Sequence, residues 1–289
     1  MIEAEDYARQ ALDRHQGLLT AAEQERLASA TIAAAGVGGV GGGTCVTLAR
    51  LGCRRFRVAD CGAFEPSNGN RQTGCACSTV GRNKADVVAG MIRDANPLAE
   101  IETHAEGVTD ANVDAFVNGS SVAIDGIDLY ALPIKKRLYD RARTAGVPVV
   151  STPIFGFGAA LAVFDPVRSP DFDSHFGRIP DPSDAPAYRR YLQRIAMGFF
   201  GFVPDLDWRT FVDRVYGGKC PSIGTSCMLA AGMGALAIAD VILQRGSYPV
   251  VPETVHIDLR HLRVIRVGRF RRLAFKLKLA AILLRTRRG

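Results

Sequence analysis

Three short runs hold residues whose types and spacing can do chemistry. The first, "TIAAAGVGGVGGGTC", carries Gly36-x-Gly38-x-x-Gly41 directly after an apolar stretch, with Gly39 inside it. Glycines at the start of a helix expose backbone N–H groups with no side chain in the way, and that surface accepts a phosphate. Asp60 follows Gly36 by 24 residues at the end of the next apolar run. An acidic residue in that place binds a ribose hydroxyl. To this point NAD and ATP fit equally well.

The second run, "EPSNGNRQTGCACSTVGRNKAD", favours a triphosphate. It places Asn68, Asn70, Arg71 and Gln72 just beyond Asp60, and Lys84 thirteen residues after Arg71. A nicotinamide site has no use for this set. A triphosphate uses all of it: an arginine fork on phosphate oxygens, a lysine point charge, and amides that fix orientation. The third run, "AIDGID", ends in Asp125 and Asp128, two carboxylates placed to hold a Mg²⁺ that bridges phosphates.

The elements that must position these groups alternate. Residues 5–29 read as helix, with a Thr20/Glu23 capping box. Strand candidates are "ATIAAAG", "RRFRVAD", "EIETHAE", "SSVAIDGID" and "VPVVSTPIF". Helix candidates between them are "GGTCVTLARLG", closed by Gly52, then "GRNKADVVAGMIRDANP", "DANVDAFVNG" and "PIKKRLYDRARTAG". "GFGAALAVFDP" reads as a strand that turns back. The pattern predicts an α/β fold: a Rossmann-like, doubly wound, mostly parallel sheet with a C-terminal β/α extension. Three regions follow from it. Residues 1–166 form the nucleotide-binding core with its N-terminal helices, 167–219 an irregular aromatic lid or crossover segment, and 220–289 the part that completes the fold. That last part holds a long helix, "SIGTSCMLAAGMGALAIADVILQRG", a strand or hairpin, "TVHIDLRHLRVIRV", and a basic tail helix.

Composition narrows the class. With 47% hydrophobic and 22% charged residues in 289, the chain has the make-up of an ordinary globular protein. The N-terminus is charged and offers no apolar leader, so the expected location is cytoplasmic. The longest apolar run, "CMLAAGMGALAIADVIL", is interrupted by Asp240 and reads as a buried helix. Seven cysteines with no C-x-x-C pair argue for free thiols and against a knuckle-type zinc. The net charge of +7 divides unevenly: residues 254–289 hold 11 Lys/Arg and one Asp, +10, which leaves −3 for the rest. Residues 266–289 carry nine Lys/Arg and no acid, with Leu273, Leu277, Ala280, Ala281 and Leu284 at helical spacing. Such a face is either simply solvated or meets an acidic partner.

Taken in order, "GVGGVG", "DCGAFEPSNGNRQ", "VGRNKA", "DGID" and "AGVPVVSTPIFGFGAALAVFDP" make residues 1–166 and 221–260 resemble the E1-like ThiF/MoeB/HesA superfamily of adenylyltransferases. "FDSHFG" and "CPSIGTSC" bring the chain closest to its small bacterial stand-alone ThiF-like branch. The resemblance implies that Asp60 holds the ATP ribose, that Asn68, Arg71 and Lys84 contact the phosphates, and that Asp128 binds Mg²⁺. "DYARQ" resembles the family's Tyr-x-Arg-Gln, which implies that Arg9 reaches a neighbouring subunit's ATP in a homodimer.

Departures shape the expected activity. Asp60-Cys61-Gly62 lacks the family's second acidic residue, and Asp128-Leu129 replaces an Asp-Asn pair. Residues 78–219 contain no cysteine, so the crossover segment offers no thioester nucleophile. Cys220 and Cys227 lie beyond it, as nucleophiles or, the better expectation, as inert buried thiols. The expectation is adenylation of a carboxylate on a ubiquitin-like C-terminus, a peptide or a small acid, for direct transfer to an acceptor. A tRNA-modifying cyclase of the threonylcarbamoyladenosine dehydratase type is the alternative enzyme, and its RNA would match the basic tail. A non-catalytic nucleotide-binding module that recruits a partner is the reading outside enzymes.

Overall fold

The computed structural model describes residues 2–181, 183–199 and 207–268. The expected basic tail helix falls at 269–289, outside the described residues.

Two helices open the chain, α1 (Ala4–Ala11) and α2 (Ala21–Ser29), separated by a 3-10 turn at Asp13–His15. Thr20 and Glu23 form the capping box at the start of α2. Then come β1 (Thr31–Ala35), α3 (Val40–Arg50), β2 (Arg55–Ala59), α4 (Lys84–Ala95), β3 (Glu100–His104), α5 (Val113–Val117), β4 (Val122–Asp125), α6 (Leu132–Thr144) and β5 (Val149–Ser151). The sheet runs β3-β2-β1-β4-β5, all parallel, so its order reverses between β1 and β4. A crevice opens at that reversal, at the carboxyl ends of the strands.

The expected fifth strand divides in two. Thr152-Pro153 interrupts it, because proline has no N–H to give the ladder, and β6 (Ile154–Phe155) turns into β7 (Gly158–Phe164) as a hairpin. β7 runs antiparallel to β5 and carries β8 (Thr254–Asp258) and β9 (Arg263–Val267), also antiparallel. The described sheet is therefore a five-stranded parallel half with an antiparallel extension.

Residues 167–219 are more regular than their composition suggests. They form α7 (Phe172–Phe176), α8 (Ala185–Phe199) and α9 (Trp208–Tyr216), with Asp171 capping α7 and Asp207 capping α9. Tyr191 and Ile195 of α8 bury themselves against Leu132.

β1 shows how the core divides. Ile32 and Ala34 face one layer with Leu48, Phe56, Ile92 and Ile238. Ala33 and Ala35 face the other with Phe116, Leu138, Tyr139 and Val149. The period of two is that of a strand covered on both faces. The long helix α10 (Gly224–Leu243) lies along α3 and β7. It is apolar and long enough to cross a membrane by composition, yet 61% of its apolar window is buried in this fold. Gln244, in the left-handed region at φ 57°, ends it two residues before the expected Gly246.

Candidate active site

The site forms at the β1/β4 crevice. Gly36 turns the chain out of β1 at φ 82°, and its N–H donates to the Ala59 carbonyl at 2.8 Å. A methyl on Gly36 would run into the Gly126 backbone, and one on Gly41 into the Gly36 carbonyl oxygen. These glycines let the β1 loop, the β4 loop and the start of α3 touch backbone to backbone. Gly38 and Gly39 lie between, with Gln72 near the first and the Cys227 sulfur near the second.

Asp60 holds this loop in shape. One carboxylate oxygen accepts the Val37 N–H and the other the Gly62 N–H, both at 2.9 Å. Asn83 then ties Asp60 to α4. Its amide donates to the Asp60 and Ala105 carbonyls, and its oxygen caps the helix through Ala85 and Asp86. Lys84 is the first residue of α4, so its ammonium projects beside the loop and stands 5.9 Å from the Phe64 ring centre. No carboxylate among the described residues lies within ion-pair distance of it. Asn83 carries no charge, and sequence reasoning passed over it. Its place as the Asx residue before a helix start was the available signal.

The loop between β2 and α4 presents the other groups. Asn68 caps the turn at Pro66–Asn68 through the Glu65 N–H. Its carbonyl accepts from Arg71 N and Gln72 N. The Arg71 guanidinium donates to the Ser67 carbonyl at 3.1 Å and to the Asn70 side-chain oxygen at 2.9 Å. Gln72 is 8% exposed, and its side-chain oxygen is buried with no hydrogen-bond partner, against Gly38. An orphaned buried acceptor costs free energy unless something donates to it. The glycine loop, the unpaired ammonium and this acceptor together fit a nucleotide polyphosphate with its bound cation.

The two aspartates of the third run separate. Asp125, at the end of β4, is buried and saturated. It takes Lys135 Nζ at 2.7 Å, Tyr139 OH at 2.7 Å, Ser151 OH at 2.9 Å and the Ile127 N–H at 3.3 Å. That shell leaves it no lone pair for a metal, so the expectation that Asp125 shares a Mg²⁺ is corrected to a structural role. Asp128 is exposed, and among the described residues its carboxylate bonds only the Tyr130 N–H, at 3.1 Å, through one oxygen. Of these two aspartates, Asp128 is the candidate cation ligand. Among the described residues no group of three or more His, Cys, Asp or Glu side chains is placed to hold a metal ion.

The Cys220 thiol is raised to about 11, by burial first and then by the Asp128 charge, with the Arg71 charge opposing. The half-buried thiol is therefore protonated at neutral pH. Cys227 is buried, and its thiol is also raised to about 11. Tyr130 closes this side by donating its hydroxyl to the Val215 carbonyl at 2.7 Å. Arg9 is elsewhere. It sits on α1, highly exposed and paired with Asp6 at 2.6 Å.

The chain resembles known proteins in sequence and in fold. A SAMP-activating enzyme E1 of Haloferax volcanii is 31% identical over 163 residues, 56% of this chain and 59% of its own length. This chain thus spans about three fifths of that relative. A tRNA threonylcarbamoyladenosine dehydratase of Escherichia coli is 31% identical over 209 residues, 71% of this chain and 73% of its own. The solved structure of PaaA overlays with a TM-score of 0.63 at 20% identity, covering 92% of this chain and 74% of that one. Escherichia coli MccB with ATP overlays with a TM-score of 0.63 at 14% identity, covering 85% and 65%. The ThiF family model matches residues 7–275, nearly the whole chain, and the protein belongs to the ThiF family.

Proposed function

We propose that this chain is an ATP-dependent adenylyltransferase that joins AMP to a carboxylate and passes the activated acyl group directly to an acceptor. The observation that carries the reading is the glycine loop at the β1/β4 crevice, with the Gln72 acceptor open against Gly38 and the Lys84 ammonium beside Gly62. Curated relatives named as a SAMP-activating E1 and a sulfur carrier adenylyltransferase support the activity. MccB, whose solved structures include complexes with ATP and with MccA, supports ATP as the nucleotide.

In this reading a carboxylate oxygen attacks the α-phosphorus and pyrophosphate leaves. The chain's residues bind, orient and offset charge, which is most of what phosphoryl chemistry asks of a protein. The glycine loop gives backbone N–H groups to the phosphates. Asp60 orders that loop and offers its remaining lone pairs to the ribose. Asn68, Asn70 and Gln72 hold Arg71 and the loop in register, so the guanidinium meets phosphate oxygens without reorganising. Lys84 supplies a fixed positive charge. A Mg²⁺ held between Asp128 and the phosphates would neutralise charge on the leaving group. The raised Cys220 thiol supports direct transfer over a thioester, because the thiolate is the nucleophilic form.

A second reading is favoured by the 31% identity to the Escherichia coli tRNA dehydratase across 71% of this chain. There the carboxylate belongs to a modified nucleoside. ATP–pyrophosphate exchange against a panel of carboxylates, peptide C-termini and bulk tRNA tests both. Exchange stimulated by tRNA alone selects the second reading. Absence of exchange and of ATP binding rejects both.

A further inference from the structure

The last turn of α9 and the segment that joins it to α10 are tied to two loops, the one after β4 and the one after β2, by one bond each. Tyr130, after β4, donates to the Val215 carbonyl at 2.7 Å, across 85 residues of sequence. Asn70, after β2, donates to the Ser222 carbonyl at 2.9 Å, across 152. Gly224 continues the contact, since a methyl there would press on the Asn70 carbonyl oxygen. Between the anchors in the chain lies Cys220, whose thiol is half-buried.

We propose that Tyr130 is a positioning residue: by holding the last turn of α9 it fixes the 217–222 segment that follows as a strap against the loops after β4 and β2, and the strap closes the crevice over a bound nucleotide. This rests on the adenylation reading for the nucleotide alone. The anchoring stands on the two hydrogen bonds. The strap starts at the end of one helix and finishes at the start of another, so loss of either anchor lets it lift without unravelling the sheet. In the lifted state Cys220 becomes accessible.

Cys220 is thus a built-in reporter. Iodoacetamide labelling is followed peptide by peptide by mass spectrometry, with exposed Cys77 as the internal reference. In the wild type Cys220 should label far more slowly than Cys77, and Mg-ATP should suppress most of what remains. Tyr130→Phe removes only the hydroxyl, and it should raise the Cys220-to-Cys77 ratio about three- to tenfold, the scale of one hydrogen bond. Asn70→Ala should raise it similarly from the other anchor, and it keeps the test alive if Tyr130→Phe does not fold. An unchanged ratio in the variants overturns the proposal. ATP bound by equilibrium dialysis yet giving no protection of Cys220 overturns the closure while leaving adenylation intact. A chain that does not bind ATP overturns the reading and the closure with it.

Discussion

Asp125 and Asp128 are three residues apart and face different environments. Asp125 is buried with the Lys135 ammonium, whose side chain is 13% exposed. Asp125→Asn leaves that charge without its counter-ion, and breaking such a pair from one side costs about 3–5 kcal/mol. The expected outcome is a clearly lower urea midpoint. Asp128→Asn should leave the midpoint within about 0.5 kcal/mol of wild type, as an exposed substitution does, and lower pyrophosphate exchange about 10²-fold. If the two results are exchanged, the cation ligand has been assigned to the wrong aspartate. Arg71→Ala and Lys84→Ala should each lower exchange by about 10²-fold, the scale of one lost transition-state contact. Near-normal exchange in both relocates the site.

At the scale of elements, the glycine loop is a contact between backbones. Gly41→Ala drives a methyl into the Gly36 carbonyl at the start of α3. Overpacking of this kind costs about 1–3 kcal/mol, and it should weaken ATP binding in titration calorimetry even where circular dichroism shows the fold retained. The α2 end offers a pH test. Glu23 is lowered to about 2 by the Thr20 backbone N–H first and then by Arg245, which it joins at 2.7 Å. A depressed carboxylate stabilises above its unfolded value of 4.5 and loses that contribution as pH falls toward 2. Glu23→Gln should therefore lower the melting temperature at neutral pH, and the gap from wild type should narrow between about pH 4.5 and 2. A constant gap would assign the effect to packing. These elements also show what sequence makes legible. The loop, the capping box and the β/α alternation are local patterns, fixed by spacing within about 25 residues. The Lys135 partner of Asp125 sits on the following helix, and the Val215 partner of Tyr130 on a helix 85 residues away. Both pairings depend on how layers pack, which no short window contains. The helices of 167–199 were missed for a related reason: Pro and Gly between short aromatic segments mimic an irregular loop, while their caps, such as Asp171, are single residues.

The whole molecule raises the question of where Arg9 acts. α1 packs at the carboxyl end of α3, where Tyr7, Ala8, Ala49 and Arg50 line a common cavity. The glycine loop is at the other end of α3, eleven residues and about 16 Å away along the axis. Arg9 also points to solvent, with a side chain 75% exposed. If Arg9 contacts a nucleotide, geometry therefore favours the nucleotide of a second copy, as the "DYARQ" resemblance implies. A two-fold dimer gives each site one chain's Lys84 and the other's Arg9. Mixing Arg9→Ala with Lys84→Ala protein then creates hybrids in which one site carries both lesions and the other neither. With equal amounts and free exchange, half of the dimers are hybrids and one of their two sites works, so about a quarter of wild-type exchange should return. Each variant alone should stay near background. Native mass spectrometry of an isotope-labelled mixture checks that subunits have exchanged. Exchange of subunits with no return of activity places Arg9 outside the neighbouring site, and a chain that remains monomeric at micromolar concentration removes the shared site altogether.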